Sequence, residues 1–523
     1  MIPLMMSNDT SHMDSIAITK YGHTSCALVK QAAKRMFERI SFIENRDNIV
    51  FTNTVILCGS GKNGSDGYAL AKLLHENGKK CNTVQVFPPK ACESIELIDS
   101  FTDDEKDSIH QSEKAETLIE SADLIIDCIF GTGYDPSRGS ARDEFIHICR
   151  TVKQKKQKDP KAFILSADIP SAVSADTGET SFDENGERIC IQSDAVCTFM
   201  HSKPGLEVTP GILLSGEVFT EKIEELTEAE KECCYTRFVT DDTVFSLLPK
   251  RKIDSNKGTY GQLLCLCGSP DMPGAAMLSV SAALRMGTGL VRVCGIKDTL
   301  DILKCRISEP VFTTLPDING KYADNAFNII KSNMGKISAV LAGCGTGMDE
   351  SALSLFTEIC EKSSCPIVID ADMLNLLSNN KDLLKTIGNR SVITPHPGEA
   401  ARLLGTDIKT INEKRIYYAQ ALSEKYGCVT LLKGFRTVIA SPDGRIAVNP
   451  NGNNGMSKGG SGDVLAGIIA SLTAQGVTLF DSAVLGAYIH GKAGDIAKDR
   501  YGERSMLPSD MVSSLPDILK DHH

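Results

Sequence analysis

The run Thr54-Val55-Ile56-Leu57-Cys58, the glycine-bearing stretch Gly59 to Gly67, the amphipathic segment Tyr68 to Asn77 and a second apolar run, Thr83-Val84-Gln85-Val86-Phe87, decide the fold of the N-terminal half. Strand, tight turn, helix and strand make a βαβ unit. Two further runs, Asp123 to Phe130 and Ala162 to Asp168, are apolar nearly throughout, as strands covered on both faces are. Each ends in a carboxylate or a glycine turn. Ligands of open parallel sheets bind outside the carboxyl ends of the strands, so Asp66, Asp127, Gly131, Gly133 and Asp168 converge on one crevice of a Rossmann-like, doubly wound α/β domain.

At 523 residues the chain exceeds the size at which a single hydrophobic core keeps growing, and two or three domains are expected. Composition changes after about Gly216, where the charged stretch Glu221 to Glu232 reads as a linker. The expected division is 1–225, a linker 226–238, and 239–523. Strand and helix alternation restarts at Gly261 to Cys267 and continues through Ser338 to Ala342, Pro366 to Asp370, Ser391 to Thr394 and Val429 to Leu432, a second α/β domain. The net charge of −11 with dispersed Lys and Arg argues against duplex nucleic acid as a partner. The 18 cysteines are scattered through strand-like runs, lack a Cys-x-x-Cys pair and read as reduced thiols of a cytoplasmic protein rather than disulfides or zinc ligands. No run of about eighteen apolar residues and no leader-like start is present, so neither membrane insertion nor export is expected.

The densest chemical signal is Asn449 to Gly467, where Gly459, Gly460 and Gly462 lead into an apolar helix that carries Asp463. Glycines remove the Cβ atoms that would hold a backbone away from a phosphate, and the first N–H groups of the helix face the anion. A carboxylate beside a phosphate is repelled by it, and a helix end offers an anion only about 0.3–1 kcal/mol at an exposed site. Asp463 therefore reads as a proton-abstracting base, with an N-cap in a glycine turn as the bland alternative.

Further glycine-bearing loops follow strands at Gly268 to Ala276, Gly343-Cys-Gly345-Thr-Gly347, Thr394-Pro-His396-Pro-Gly398-Glu399 and Lys433-Gly434-Phe435-Arg436-Thr437. With Lys257 to Gly261 and Asp370-Ala-Asp372-Met-Leu-Asn375, this series resembles the ADP/ATP-dependent NAD(P)H-hydrate dehydratases, a family of ribokinase-like fold. The resemblance spans about residues 240–520. It implies an enzyme that phosphorylates the hydroxyl of hydrated NADH or NADPH (NADHX, NADPHX) and eliminates phosphate, with Mg2+ and ADP or ATP. It places the hydrate against Ala275, Gly347, His396 and Asp463, and the nucleotide against Lys433, Gly434, Phe435, Arg436, Thr437, Gly459, Gly460 and Gly462.

The first half resembles the NAD(P)H-hydrate epimerase domain that bacteria fuse ahead of the dehydratase, on Asn63 to Gly67, Asp127 to Gly133, Asp168 to Ser171, Ala175 to Gly178 and Thr198 to Gly205. It implies a K+ held by Asn63, Asp127 and Ser171, and Asp168 as the acid/base that interconverts R and S hydrates. It sets the substrate against Lys62, Asn63, Gly64, Ser65 and Asp66, against Gly131, Thr132, Gly133, Tyr134, Asp135, Pro136 and Ser137, and against Asp168. The chain departs from the family where Lys62 and Ser65 replace the Asn and Gly of Asn-Asn-Gly-Gly-Asp, and where Ala172 and Ser174 replace Gly and Asp of Ser-Gly-Leu-Asp. A Cβ at Ser65 or Ala172, if the backbone takes positive φ or must approach a ligand, costs about 1 kcal/mol or more; Lys62 is positioned to face the substrate's pyrophosphate instead. Bacterial fusions favour ADP as donor, and the family points to a homo-oligomer. Two other readings stay open: a small-metabolite kinase in the C-terminal half, against which His396 speaks, and a non-catalytic binding or oligomerising module in the N-terminal half.

Overall fold

A computed structural model describes residues 1–138 and 143–522, and the chain divides into two compact units, residues 3–237 and residues 238–523 with Met1 and Ile2. In the first unit a parallel sheet runs in the order Glu217–Glu221, Ala195–Phe199, Phe163–Ala167, Leu124–Cys128, Thr54–Cys58, Cys81–Gln85, Ile109–Gln111. The chain starts in the middle at Thr54–Cys58, winds to one edge and then returns to wind toward the other. The switch falls between Thr54–Cys58 and Leu124–Cys128, both fully buried strands, and there the crevice opens at their carboxyl ends.

The stretch read as a loop from Gly59 to Gly67 is mostly helix, which begins at Lys62 and runs to Glu76. Its glycines serve close packing rather than looping. A Cβ on Gly59 would stand 1.9 Å from the Ile129 carbonyl oxygen, one on Gly64 2.1 Å from the Gly59 oxygen, and one on Gly67 2.6 Å from Cys58 Sγ. The helix N-terminus is thereby pressed onto the strand ends. The stretch Glu221 to Glu232 is no free linker either: Glu217–Glu221 is an edge strand, and Ile223, Leu226 and Ala229, spaced by three, are buried in the first unit's core. Charged residues on the outer face hid that apolar period.

In the second unit the sheet runs Val311–Thr314, Leu290–Gly295, Gln262–Leu266, Ala339–Ala342, Ile367–Ile369, Ser391–Ile393, Val429–Leu432, all parallel, and continues antiparallel into Thr437–Ala440 and Ile446–Asn449. It is an α/β fold with its own switch point, between Gln262–Leu266 and Ala339–Ala342. Against it lie the helices Pro273–Arg285 and Ser461–Ala474, which pack on each other so closely that a Cβ on Gly467 would stand 2.1 Å from the Ser279 carbonyl oxygen. Helix Ser461–Ala474 is buried from Val464 onward, leaving its first turn, with Asp463, at the carboxyl edge of the sheet.

Candidate functional site

In the first unit a cavity of about 940 Å3 opens at the switch point, walled by Lys62, Asn63, Asp66, Gly131 to Asp135, Asp168 and Lys203, with apolar sides from Met13, Leu28, Phe199 and Leu226. Of the expected residues, Gly64 and Ser65 do not line it. Gly64 is packed on Gly59, and the buried Ser65 hydroxyl meets Ser94 Oγ at 2.7 Å, so the serine that replaces the family's glycine is absorbed into the interior. Pro136 and Ser137 also lie outside the lining, Ser137 donating its N–H and hydroxyl to Asp135 Oδ1 at 2.9 and 2.7 Å. Lys62 does not reach freely into the cavity: its Nζ pairs with Asp14 Oδ2 at 3.1 Å. Asp14, on helix Ser7–Thr19, is a wall residue that the sequence reading missed, since nothing near it carries a motif.

Asp168 follows strand Phe163–Ala167 with φ +65°, a left-handed conformation uncommon for a non-glycine residue. Its Oδ1 gathers three donors: Lys203 Nζ at 2.6 Å, Thr198 Oγ1 at 2.9 Å and Phe199 N–H at 3.3 Å. Lys203 is fully buried and also donates to the Phe199 and His201 carbonyls. Ala172 does take positive φ, +67°, as the sequence comparison suggested. Asp127 is fully buried and its donors are all neutral: Ser171 Oγ at 2.5 Å, Ser171 N–H and Ser166 Oγ at 2.8 Å, and Ile129 N–H at 3.3 Å. Burial pushes its carboxyl upward despite those bonds. Asn63, buried beside Gly131, leaves its amide Nδ2 without a partner.

In the second unit the strand ends assemble a continuous polar network. Lys433 Nζ pairs with Asp370 Oδ1 at 2.6 Å and lies 3.8 Å from Glu399 Oε2, while Thr394 Oγ1 donates to Asp370 Oδ1 at 2.7 Å. His396 caps helix Pro397–Leu404: its Nδ1 accepts the Gly398 and Glu399 N–H groups at 2.9 and 3.4 Å, which puts the neutral ring's proton on Nε2. Glu399 returns the contact, accepting the His396 N–H at 2.8 Å. Ligand atoms of Cys344, Asp370 and Asp463 lie within 4.8 Å of one another. A Cβ on Gly462 would stand 3.4 Å from Lys433 Nζ and 3.8 Å from Asp370 Oδ2, so this glycine keeps the pair open to whatever approaches. Gly460 has φ +103°, where a side chain is strained. The helix turn below is anchored by His490, whose Nε2 donates to the Ser461 carbonyl at 2.8 Å.

Three carboxyls around one ammonium cannot all ionise cheaply. Burial first and the Asp370 charge second push Asp463 up to about 6, and burial raises Glu399 to about 7. Burial works to lower Lys433, yet the Asp370 and Glu399 carboxylates outweigh it and hold the ammonium above its ordinary range. Of the other expected residues, Ala275 packs where a Cβ on Gly345 would come within 2.7 Å, and the Gly347 N–H donates to Asp372 Oδ2 at 2.9 Å. Phe435 is exposed, Arg436 has φ +56°, and Thr437 Oγ1 closes the turn onto the Gly434 carbonyl at 2.9 Å. Gly459 has open space at its Cα. Asp370, Glu399 and Cys344 stood in the quoted loops but outside the expected site set, although Asp370 at the end of a parallel strand met the carboxyl-end rule.

The family model described as NAD(P)H-hydrate dehydratase matches residues 263–517, and the one described as YjeF-related protein N-terminus matches residues 25–205. A bifunctional NAD(P)H-hydrate repair enzyme of Moorella thermoacetica is 33% identical over 528 residues, covering 99% of this chain and 97% of that protein. An ADP-dependent (S)-NAD(P)H-hydrate dehydratase of Neisseria meningitidis is 40% identical over 256 residues, 48% of this chain and 82% of that protein. A solved ADP/ATP-dependent NAD(P)H-hydrate dehydratase of Bacillus subtilis is 27% identical, with a TM-score of 0.46, and is covered in full by 56% of this chain. The chain belongs to the family of bifunctional NAD(P)H-hydrate repair enzymes.

Proposed function

We propose that residues 3–237 interconvert the R and S forms of NADHX and NADPHX, and that residues 238–523 dehydrate the S form to NADH or NADPH at the expense of a nucleotide phosphate. The observation that carries the second half is the placement of Asp463 in the first turn of a glycine-led helix, beside Lys433 and Asp370. Asp463, ionised above about pH 6, takes the proton of the substrate hydroxyl as that oxygen attacks the terminal phosphate. N–H groups of Gly459 to Gly462 and the Lys433 ammonium stabilise the charge on the transferring group. The carbon–oxygen bond then breaks with phosphate as the leaving group, and the neighbouring ring carbon gives up a proton to solvent as its C–H electron pair restores the ring double bond. Ala275, Gly347 and His396 border the hydrate; Lys433 to Thr437 border the nucleotide.

Mg2+ enters as the counter-ion of the nucleotide's phosphates, which suits a cation that keeps few protein ligands. The Cys344, Asp370 and Asp463 trio is a poor magnesium set, since one donor is sulfur and Asp370 is already held by Lys433. K+ fits better in the first unit. Asp127 is buried with only neutral donors, and Asn63 and Ser171 supply further oxygens; there the ion would offset a buried negative charge. ADP is the proposed donor. The eighteen free thiols suit a reducing cytoplasm. A homo-oligomer is carried over by the resemblance alone and is measured by sedimentation velocity.

The test is purified S-NADHX with ADP and Mg2+, following NADH absorbance and released phosphate. Equal molar yields of NADH and phosphate support the reading. A stable phosphorylated product without NADH sinks it in favour of a kinase, and phosphate without NADH sinks it in favour of nucleotide hydrolysis.

A further inference from the structure

We propose that Asp66 is a catalytic residue of the epimerase site, the proton donor that works with Asp168 as base, and that Lys203 is the positioning residue that commits Asp168 to the base role. This rests on the epimerase reading of the first unit. Asp66 and Asp168 line one cavity, Asp66 from the first turns of helix Lys62–Glu76 and Asp168 from the end of strand Phe163–Ala167. Their surroundings are opposite. Lys203, Thr198 and Phe199 all donate to Asp168 Oδ1, which stabilises the carboxylate and leaves Oδ2 to accept. Asp66 has no hydrogen-bond or ion-pair partner among the described residues, and a carboxyl placed that way in a partly apolar cavity keeps its proton.

Titratable groups facing Asp66 come from every neighbouring element: Asp168 from the strand end, Asp14 from helix Ser7–Thr19, Glu93 from helix Cys92–Asp99, and Lys62 from its own helix. Burial first and then Asp168 and Asp14 push Asp66 well above the carboxylate range, and the more weakly felt Lys62, itself tied to Asp14, does not reverse this. Two carboxyls whose environments separate them in this sense divide acid from base.

The step balances without any further reactant. Asp66 gives its proton to the ring hydroxyl as the carbon–oxygen bond breaks; the adjacent ring nitrogen's electron pair forms a C=N+ bond and water leaves. Water then adds to the opposite face of that carbon, its electron pair returning the C=N+ electrons to nitrogen, and Asp168 Oδ2 takes the proton. The net change is inversion at one carbon with a proton moved from Asp66 to Asp168, reset through solvent or by the reverse reaction.

The experiment uses the full chain without nucleotide, so that only epimerisation runs, and follows R-NADHX to S-NADHX by chromatography. Absence of epimerisation by the unmodified chain would refute the epimerase reading itself. Given that activity, Asp66→Asn is expected to lose at least 100-fold in kcat with KM within about threefold, and Asp66→Glu to regain part of it. Since Asp66 lies in residues 3–237 and dehydration in residues 238–523, the folding control is a thermal melt of each variant that keeps every unfolding transition of the unmodified chain. Lys203→Met is expected to move the acid limb of the pH profile upward, and Lys203→Arg to restore it. Asp66→Asn within tenfold of the unmodified chain, or an acid limb in Lys203→Met that stays put, overturns the proposal. Should Asp66→Asn fail the folding control, the unmodified chain decides: a rate that falls at alkaline pH supports a proton-donating Asp66, and a rate flat to pH 10 overturns it.

Discussion

Replacing Asp463 by Asn should destroy dehydration and stabilise the fold. Asp463 rises from 3.8 to about 6 in the folded chain, chiefly through burial and then through the Asp370 charge. Since 1.36 kcal/mol separates protonation states per pH unit, holding this carboxylate ionised costs the native state about 2–3 kcal/mol above pH 6. The sign follows from proton counts. Between about pH 4 and 6 the native state binds more protons at this site than the unfolded chain, so the Asp463 contribution to stability is fully present below about pH 4, fades as pH rises and is gone above about 6. The amide introduced by Asp463→Asn carries no charge at any pH, so the variant should gain about 2–3 kcal/mol at pH 8 and only about 1 kcal/mol at pH 4.5. For a unit of this size that is a rise in Tm of roughly 4–10 °C at pH 8. Activity should move oppositely: loss of the base costs a factor of about 10²–10⁴ in kcat, with nucleotide affinity retained. In the unmodified enzyme, kcat should fall tenfold per pH unit below about 6. Thermal unfolding of both proteins at pH 4.5 and 8 reads the first claim, and NADH recovery from S-NADHX reads the second. An equal or lower Tm for Asp463→Asn at pH 8 would refute the reasoning, as would an acid limb near pH 4.

Lys433→Met strips the buried Asp370 of its ammonium and should cost about 3–5 kcal/mol in chemical denaturation while abolishing nucleotide binding by calorimetry. Gly462→Ala places a Cβ 3.4 Å from Lys433 Nζ without positive φ to strain it, so Tm should change by no more than a few degrees while KM for the nucleotide rises at least tenfold. His490, pushed down to about 4 by burial, donates as a neutral ring to the Ser461 carbonyl; His490→Ala should lower kcat about tenfold with no new limb in the pH profile between 5 and 8. Removing K+ should destabilise the first unit, whose buried Asp127 then lacks a counter-charge; a Tm unchanged between K+ and tetramethylammonium buffers would count against that site.

The α/β class could be read from uniformly apolar runs that end in Gly or Asp, because strands buried on two faces have no other composition, whereas the switch points needed the strand order of the folded sheets. The place of Asp168 at a strand end followed from the same apolar runs and that of Asp463 in a first helical turn from the glycines before it, while Lys433 was singled out by the resemblance. What was hidden depended on three-dimensional closeness. Gly59, Gly64 and Gly67 look like loop glycines, yet they permit backbone contacts of a helix that starts at Lys62. Ser65 read as a substrate contact until its partner Ser94, 29 residues away, took its hydroxyl inward. Asp14 enters the cavity from a helix without any motif, and Lys62, expected to face a phosphate, is claimed by it. Ile223, Leu226 and Ala229 were masked by a surplus of charge on the opposite face. Local pattern thus located the ends of elements, whereas contacts between distant segments decided which side chains face the cavity.

The central claim is that one chain makes both isomers recoverable. An equal mixture of R- and S-NADHX, given excess ADP, Mg2+ and K+ and followed at the NADH absorbance, tests it most directly. Recovery of all the NADH, with the second half arriving at a rate abolished by Asp168→Asn, is the predicted result. Recovery that halts when the S isomer is exhausted would contradict it.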